Sequence, residues 1–276
     1  MTDRPPLGHR HAAGRSRIRE RVLAGEEVLG AFLNLGAPLA AELCARAGFD
    51  WLLVDLEHGA GTEADLLAQL YAIEGAAAPS GARCAAIVRP EEGTRLRIGR
   101  SLDLGAEGIM LPRLERPDEI QRVVSWLRYP PTGVRGVALL TRGAELGEVA
   151  HGDVARLNDR VLGIVQVESP LAVANAGALA AIDGVDVLFV GPTDLSHSLG
   201  VPGFLDAPEY LAALGAVVKA CRSHGKAAGI LLRSADALDR HRELGFTFIG
   251  LSSDGAYVTD GARAALARAA ERGPRG

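Results

Sequence analysis

Cysteine is scarce in this chain. Cys44, Cys84 and Cys221 are spread over 276 positions, and no C-x-x-C pair occurs. That excludes a disulfide framework and a cysteine-built zinc site, and leaves three small, buried hydrophobes as the expectation. Aromatic residues make up only 4% of the chain, too few for a base-stacking platform. No excess of positive charge exists either: 30 Lys and Arg face 34 Asp and Glu, for a formal net charge of −4. A nucleic-acid surface is therefore not expected. No uninterrupted apolar run reaches the ~18 residues of a membrane span. The opening stretch, MTDRPPLGHRHAAGRSRIRERV, is charged but lacks the apolar segment of a secretory leader. It reads as a flexible tail over residues 1–20. A cytoplasmic protein is the expectation, with one domain over 21–276.

What the chain does have is apolar sequence in short blocks. Hydrophobic residues reach 48%, ample for a large core. Eight runs read as strands: 28–35, 50–56, 84–90, 108–113, 161–168, 186–192, 227–232 and 246–253. They are nearly continuously apolar, as parallel strands covered on both faces should be. Between them lie helical stretches with good ends. PLAAELCARAG (38–48) closes on Gly48, TEADLLAQLYAIEG (62–75) opens with Thr62 and Asp65, and RPDEIQRVVSWLR (116–128) carries Pro117 in its first turn. SPLAVANAGALAAI (169–182), PEYLAALGAVVKACRSHG (208–225) and SADALDRHRELG (234–245) complete the set. Eight strands alternating with helices predict an α/β fold, a (β/α)8 TIM barrel in a single domain. An open doubly wound sheet is the alternative, weakened because no G-x-G-x-x-G turn follows the first strand. The connection over about 129–160 is the longest, and long loops of this kind usually carry function.

In such a barrel, chemistry gathers at the C-terminal ends of the strands. The sequence places polar residues there repeatedly. FDWLLVDLEHG (49–59) ends in Asp55, Glu57 and His58, and the third run ends in Arg89-Pro90. The fifth ends in Gln166 and Glu168, the sixth in GPTD with Asp194, and the eighth in Asp254. Charge is costly to bury unless paired or used, so a rim lined this way reads as a site. Glu168 and Asp194 follow neighbouring strands, and their carboxylates suit a hard cation such as Mg²⁺ or Mn²⁺. His58 is the candidate base, with Asp55 to orient it. Arg89 suits a carboxylate or a developing enolate oxygen. The segment Gly191-Pro192-Thr193-Asp194 offers backbone N–H groups to a substrate carboxylate. Of the chain's two lysines, Lys219 sits within a helical stretch and Lys226 precedes the seventh run, so neither stands at a strand end. Schiff-base catalysis by a lysine is disfavoured accordingly.

FDWLLVDLEHG, VRP (88–90), YPPTGVRG (129–136), VQVESP (165–170) and VGPTDLS (190–196) occur in this order. Together they resemble the HpcH/HpaI aldolase family, over about residues 25–260. The resemblance implies a metal-dependent class II pyruvate aldolase, acting on 4-hydroxy-2-oxo acids or on 2-dehydro-3-deoxyglucarate. Glu168 and Asp194 match the ligands of a divalent metal (Mg²⁺, Mn²⁺ or Co²⁺). His58 matches the base with Asp55 as its partner, and Arg89 the arginine that steadies the pyruvate enolate. Gln166 matches a glutamine near the metal, Gly191, Pro192 and Thr193 the pyruvate cradle, and Leu231 a residue facing the aldehyde pocket. The resemblance also implies a homohexamer of dimers that exchange their last helix. Three stretches depart from the family pattern: GAGT after His58, Arg113 in MLPRLERPDE, and ALLTRGAELG. Each bears on which aldehyde is accepted. A CoA-thioester lyase of the citrate-lyase-like branch, or a non-catalytic barrel binding a small acid, are the competing readings.

Overall fold

The computed structural model describes residues 16–76, 78 and 80–271. Eight parallel strands close in sequence order, β1 to β8, with β1 pairing β8. They are β1 Val28–Leu33, β2 Trp51–Asp55, β3 Ala85–Arg89, β4 Gly108–Leu111, β5 Leu162–Val167, β6 Val187–Val190, β7 Ala227–Leu232 and β8 Phe248–Ser253. The helices are α1 Ile18–Leu23, α2 Pro38–Ala47, α3 Glu63–Gly75, α4 Arg95–Asp103 and α5 Pro117–Ser125. Then come α6 Pro170–Ala180, α7 Pro192–Ser198, α8 Pro208–Ser223, α9 Leu238–Leu244 and α10 Asp254–Glu271. The expected (β/α)8 barrel is what forms, and every expected strand is present, shortened by at most a few residues at its ends.

The local reasons are those of the sequence. Proline opens α2, α5, α6, α7 and α8, where its missing N–H costs nothing. The Asp65 carboxylate accepts from the Thr62 backbone N–H at 2.8 Å to fix the start of α3. Gly48 ends α2 at φ +108°, a conformation that disfavours any side chain. The long connection between β4 and β5 contains two stretches of 3-10 turns, Arg142–Gly147 and His151–Arg160, packed over Tyr129.

Side chains along each strand alternate between two cores. Outward-facing residues such as Leu52, Val54, Val88, Val165, Leu188 and Ile230 pack under the helices. Inward-facing Trp51, Leu53, Ile87, Met110, Ile164, Phe189 and Phe248 fill the barrel. Trp51 stacks on Phe248 with ring centroids 4.3 Å apart. Its indole occupies the space beside Gly30, where a Cβ would lie 2.0 Å from the ring.

The barrel's lower end is plugged by α1. Ile18 and Val22 join the inner core, and Arg19 holds buried Asp186 through Nε at 2.9 Å and Nη2 at 3.1 Å. Residues 16–20 therefore belong to the folded body rather than to a tail ending at residue 20: Ile18 is 1% exposed, and Ser16 donates to Glu107 at 2.8 Å. The reason is the apolar pair Ile18 and Val22, spaced to lie on one helix face. The remainder of the expected tail, residues 1–15, lies outside the described residues, as do 272–276. Among the described residues, no helix is long and apolar enough to cross a membrane, and Cys44, Cys84 and Cys221 are free thiols.

Candidate active site

The same alternation that fills the barrel delivers the polar residues to its upper mouth. On β2 the inward positions run Trp51, Leu53, Asp55; on β3 they run Ala85, Ile87, Arg89. On β5 the series Leu162, Ile164, Gln166 continues to Glu168, and on β6 Val187 and Phe189 lead to Gly191. The ten site residues expected from the sequence line one cavity of about 560 Å³ at this end. Asn34, Phe32, Phe189, Arg233, Ser252 and Ser253 also line it.

Asp55 and Arg89 form its rigid side. Asp55 is 1% exposed and accepts from Arg89 Nε at 2.9 Å and Nη2 at 2.7 Å. It accepts further from Asn34 Nδ2 at 2.8 Å and from the backbone N–H groups of Glu57 and His58. Burial works against the charge on Arg89, but the hydrogen bonds and field of Asp55 outweigh it and hold the guanidinium pKa above its ordinary value. Arg89 also rests over the Phe32 ring at 5.4 Å.

This pairing changes one expectation. Asp55 was to orient the His58 imidazole, yet its carboxylate is spent on Arg89, Asn34 and the following turn. The imidazole instead faces Glu57, with Nε2 3.8 Å from Oε2, and its side chain is 59% exposed. The physical reason is the turn: the chain bends directly after β2 ends at Asp55, and His58, three residues on, leaves the line along which Asp55 points. Glu57 braces this side of the site. Its side chain is 12% exposed and meets Arg89 at 3.3 Å and Arg113 at 3.6 Å as well as His58. The signal in the sequence is its place among three ionisable residues, Asp55, Glu57 and His58, at the end of an apolar run.

Glu168 and Asp194 stand on the opposite side. Burial, and then the nearby Asp194 charge, push the Glu168 carboxyl up to about 7. Gln166 donates from Nε2 to Glu168 Oε1 at 2.7 Å, while its own Oε1 is buried without a partner. Asp194 lies in the first turn of α7, and the Ser198 hydroxyl donates to the Asp194 and Glu168 carbonyls at 2.8 and 3.0 Å. Gly191 makes the close approach possible, since a Cβ there would meet Glu168 Oε1 at 2.3 Å. Two crowded carboxylates and an orphaned amide oxygen form an all-oxygen donor set that fits a hard divalent cation. Among the described residues, no group of three or more His, Cys, Asp or Glu converges, so the set rests on these two acids and Gln166. A second cleft of about 370 Å³ shares Gln166, Glu168 and Asp194 and extends past Arg113, Glu115 and Ser169.

Asp254, also noted at a strand end, takes a structural role. Its carboxylate, 2% exposed, accepts from the backbone N–H groups of Asn34, Leu35 and Gly255. It ties the β1 loop to the start of α10.

Comparison with known proteins agrees with this architecture. Residues 29–260 match the model of the HpcH/HpaI aldolase/citrate lyase family. The chain is 35% identical to 2-keto-3-deoxy-L-rhamnonate aldolase of Escherichia coli O17:K52:H18, over 94% of this chain and 95% of that protein. It is 38% identical to hydroxypyruvate/pyruvate aldolase of Pseudomonas aeruginosa, over 87% of each. The crystal structure of an HpcH/HpaI aldolase/citrate lyase family protein from Burkholderia cenocepacia J2315 superimposes with a TM-score of 0.86. That protein shares 35% identity and covers 92% of this chain and 99% of its own. The barrel, its rim and these relatives lead to one conclusion: the chain belongs to the HpcH/HpaI aldolase/citrate lyase family.

Proposed function

We propose a division of labour at this rim. The protein is an aldolase, a carbon–carbon lyase that splits a hydroxy-oxo acid into pyruvate and an aldehyde. The observation carrying the site assignment is the crowding of Glu168 and Asp194 beside the unpartnered Gln166 Oε1. These residues would hold a divalent cation, Mg²⁺, Mn²⁺ or Co²⁺. When bound, the cation supplies the Lewis acid that polarises the keto group of the substrate.

The chain's own groups do the rest. Gly191, Pro192 and Thr193 line the cavity next to Asp194, and the first N–H groups of a helix lack partners within it. They seat the carboxylate of the pyruvate half. His58 takes the proton of the substrate's 4-hydroxyl, directly or through one water. The C3–C4 bond then breaks, the aldehyde leaves, and the electron pair passes into the enolate of pyruvate. Arg89 stabilises the enolate oxygen; its bonds to Asp55 occupy only part of a guanidinium with five donors. Asp55 acts by fixing Arg89. The imidazolium so formed returns a proton at C3 to complete pyruvate; in the condensation direction His58, directly or through water, removes a methyl proton of pyruvate before the enolate meets the aldehyde. Leu231 lines the cavity on the β7 side, where the aldehyde portion would lie.

The assembly proposed is a homo-oligomer, hexameric, with the last helix exchanged between subunits. The exposure of α10 supports it: every residue from 257 to 271 is exposed, with Val258 at 63% and Leu266 at 72%. A helix in this state ordinarily has a partner. The free thiols fit a reducing cytoplasm.

Release of pyruvate from 4-hydroxy-2-oxo acids tests the assignment, first in EDTA and then with each metal, for the wild type and Glu168→Ala. Metal-dependent release that the variant loses is the expected result. Release indifferent to EDTA and unchanged in the variant would sink the metal site, and no release from any such acid would sink the substrate class.

A further inference from the structure

Arg233 stands on the aldehyde side of the cavity and is used by none of the chemistry above. It lies just beyond the end of β7. Along that strand the inward positions run Ala227, Gly229 and Leu231; the chain then bends at Arg233, which is exposed at the cavity's mouth. Leu231 packs against the inner core, and both Leu231 and Arg233 line the cavity. On the neighbouring strand, Gly250 pairs with Leu231 and Leu251 with Leu232. The next position, Ser252, is held at φ +58°, outside the strand conformation, and lines the same cavity. Its neighbour Ser253 lines it too.

The pocket beyond the metal ligands is therefore graded. Phe32, Phe189 and Leu231 make an apolar wall, and a guanidinium with two serine hydroxyls makes its outer end. Among the described residues, Arg233 has no ion pair and no hydrogen bond. The other charge at this end is Asp260 on α10, whose nearest cation is Arg263 at 3.9 Å. Asp236, in the loop after Arg233, is engaged by Ser234 through a 2.7 Å bond. An unengaged arginine at the mouth of a cavity that already holds Glu168 and Asp194 has one chemical use there, the end group of an anionic substrate.

We infer that Arg233 selects the aldehyde, favouring one that ends in a carboxylate over a neutral aldehyde of the same length. The inference rests on the aldolase reading above. A carboxylate is favoured over a phosphate because Asp260 lies at the same mouth, and its repulsion grows with a dianion. The two serines can donate to the carboxylate oxygens that the guanidinium leaves free.

The test is condensation with pyruvate, metal supplied, for matched aldehydes: succinic semialdehyde against butanal, and glyceraldehyde 3-phosphate against glyceraldehyde. The expected wild-type result is a higher kcat/KM for the semialdehyde than for butanal, carried by KM, with no comparable gain from the phosphate. Arg233→Gln should lower the semialdehyde-to-butanal ratio about tenfold, the scale of one charge-assisted hydrogen bond at a partly exposed site. Arg233→Lys should keep part of the ratio, and Asp260→Asn should raise it. An equal loss for both aldehydes in Arg233→Gln would mean a merely structural arginine and overturn the assignment. A larger gain from the phosphate than from the carboxylate would overturn the choice of ligand. If the wild type condenses none of the four aldehydes with any metal, the aldolase reading falls and takes this inference with it. If butanal and glyceraldehyde react but the ratios ignore Arg233, only the inference fails.

Discussion

Arg89 reaches from β3 to Asp55 on β2 and grips both its carboxylate oxygens, at 2.9 and 2.7 Å, with the two side chains 8% and 0% exposed. Adjacent strands in register make this possible, since Asp55 is directly paired with Arg89. A bidentate pair of this kind fixes the guanidinium's plane as well as its position. One charge pair thus joins the barrel's integrity to its chemistry.

Removing one partner leaves the other charge buried and alone. Arg89→Met should lower stability by about 3–5 kcal/mol, read as a shift in the chemical-denaturation midpoint. Arg89→Lys should fold more stably than the methionine variant but lose about 10²-fold or more in kcat, because an ammonium cannot present the planar fork. A lysine variant with wild-type kcat would separate Arg89 from the enolate.

Gly191 faces Glu168 with no room for a side chain, a Cβ there falling 2.3 Å from Oε1. Gly191→Ala should displace the carboxylate, weakening divalent-cation binding by about tenfold or more while far-ultraviolet circular dichroism stays native. Calorimetric titration with Mn²⁺ reads this directly. Unchanged Mn²⁺ affinity would remove Glu168 from the cation site.

The Glu168 carboxyl, pushed up to about 7 by burial and then by Asp194, predicts a pH dependence of stability. Its folded pKa lies above the unfolded carboxylate value, so the folded state holds the proton more tightly. The stabilisation is fully present below the unfolded value and is lost as pH rises through about 7. In EDTA, the melting temperature of wild type relative to Glu168→Gln should therefore fall between pH 5 and pH 8. Saturating Mg²⁺ should restore the wild type at the upper end, where proton and cation no longer compete. A difference independent of pH would contradict the burial of this acid.

In the proposed mechanism His58 transfers the proton, and Glu57, 3.8 Å from its Nε2, would orient the ring. Exchange of pyruvate methyl protons with deuterium oxide isolates that step from aldehyde binding. His58→Gln should slow exchange about 10²- to 10⁴-fold. Glu57→Gln should slow it less, by loss of orientation. Exchange at the wild-type rate in His58→Gln would assign the base elsewhere.

Much of the fold was legible because it follows from local pattern. The strands are continuous apolar runs between helices with proline starts and glycine ends, and such signals need no distant partner. α4 carries no such local signal: RLRIGRSLD is strongly polar, has Gly99 at its centre, and buries only Ile98, Ser101 and Leu102. α1 is masked in the sequence because its two buried apolar residues sit in an Arg-rich segment and are covered only by closing the barrel floor. α10 shows no clear apolar face because its residues beyond 256 are exposed in the single chain, with Tyr257 stacked on Phe49 as a local anchor. The rim residues were legible as polar groups after apolar runs. Their partners were not, since Asp55 was matched to the nearest histidine rather than to an arginine 34 positions away.

Sequence by itself determined the strand and helix order, the eightfold closure it implies, and the residues that stand at the strand ends. Those follow from periodicity, turn chemistry and the cost of leaving charge in an apolar run. Tertiary structure alone decided which side chains meet. The register of β2 against β3 gave Asp55 to Arg89, and the turn after β2 gave His58 to Glu57. The glycine at 191 let Glu168 crowd Asp194, and the bend after β7 set Arg233 at the mouth of the cavity. Contacts of this kind depend on distances of a few ångströms between strands remote in sequence, and no local pattern encodes them.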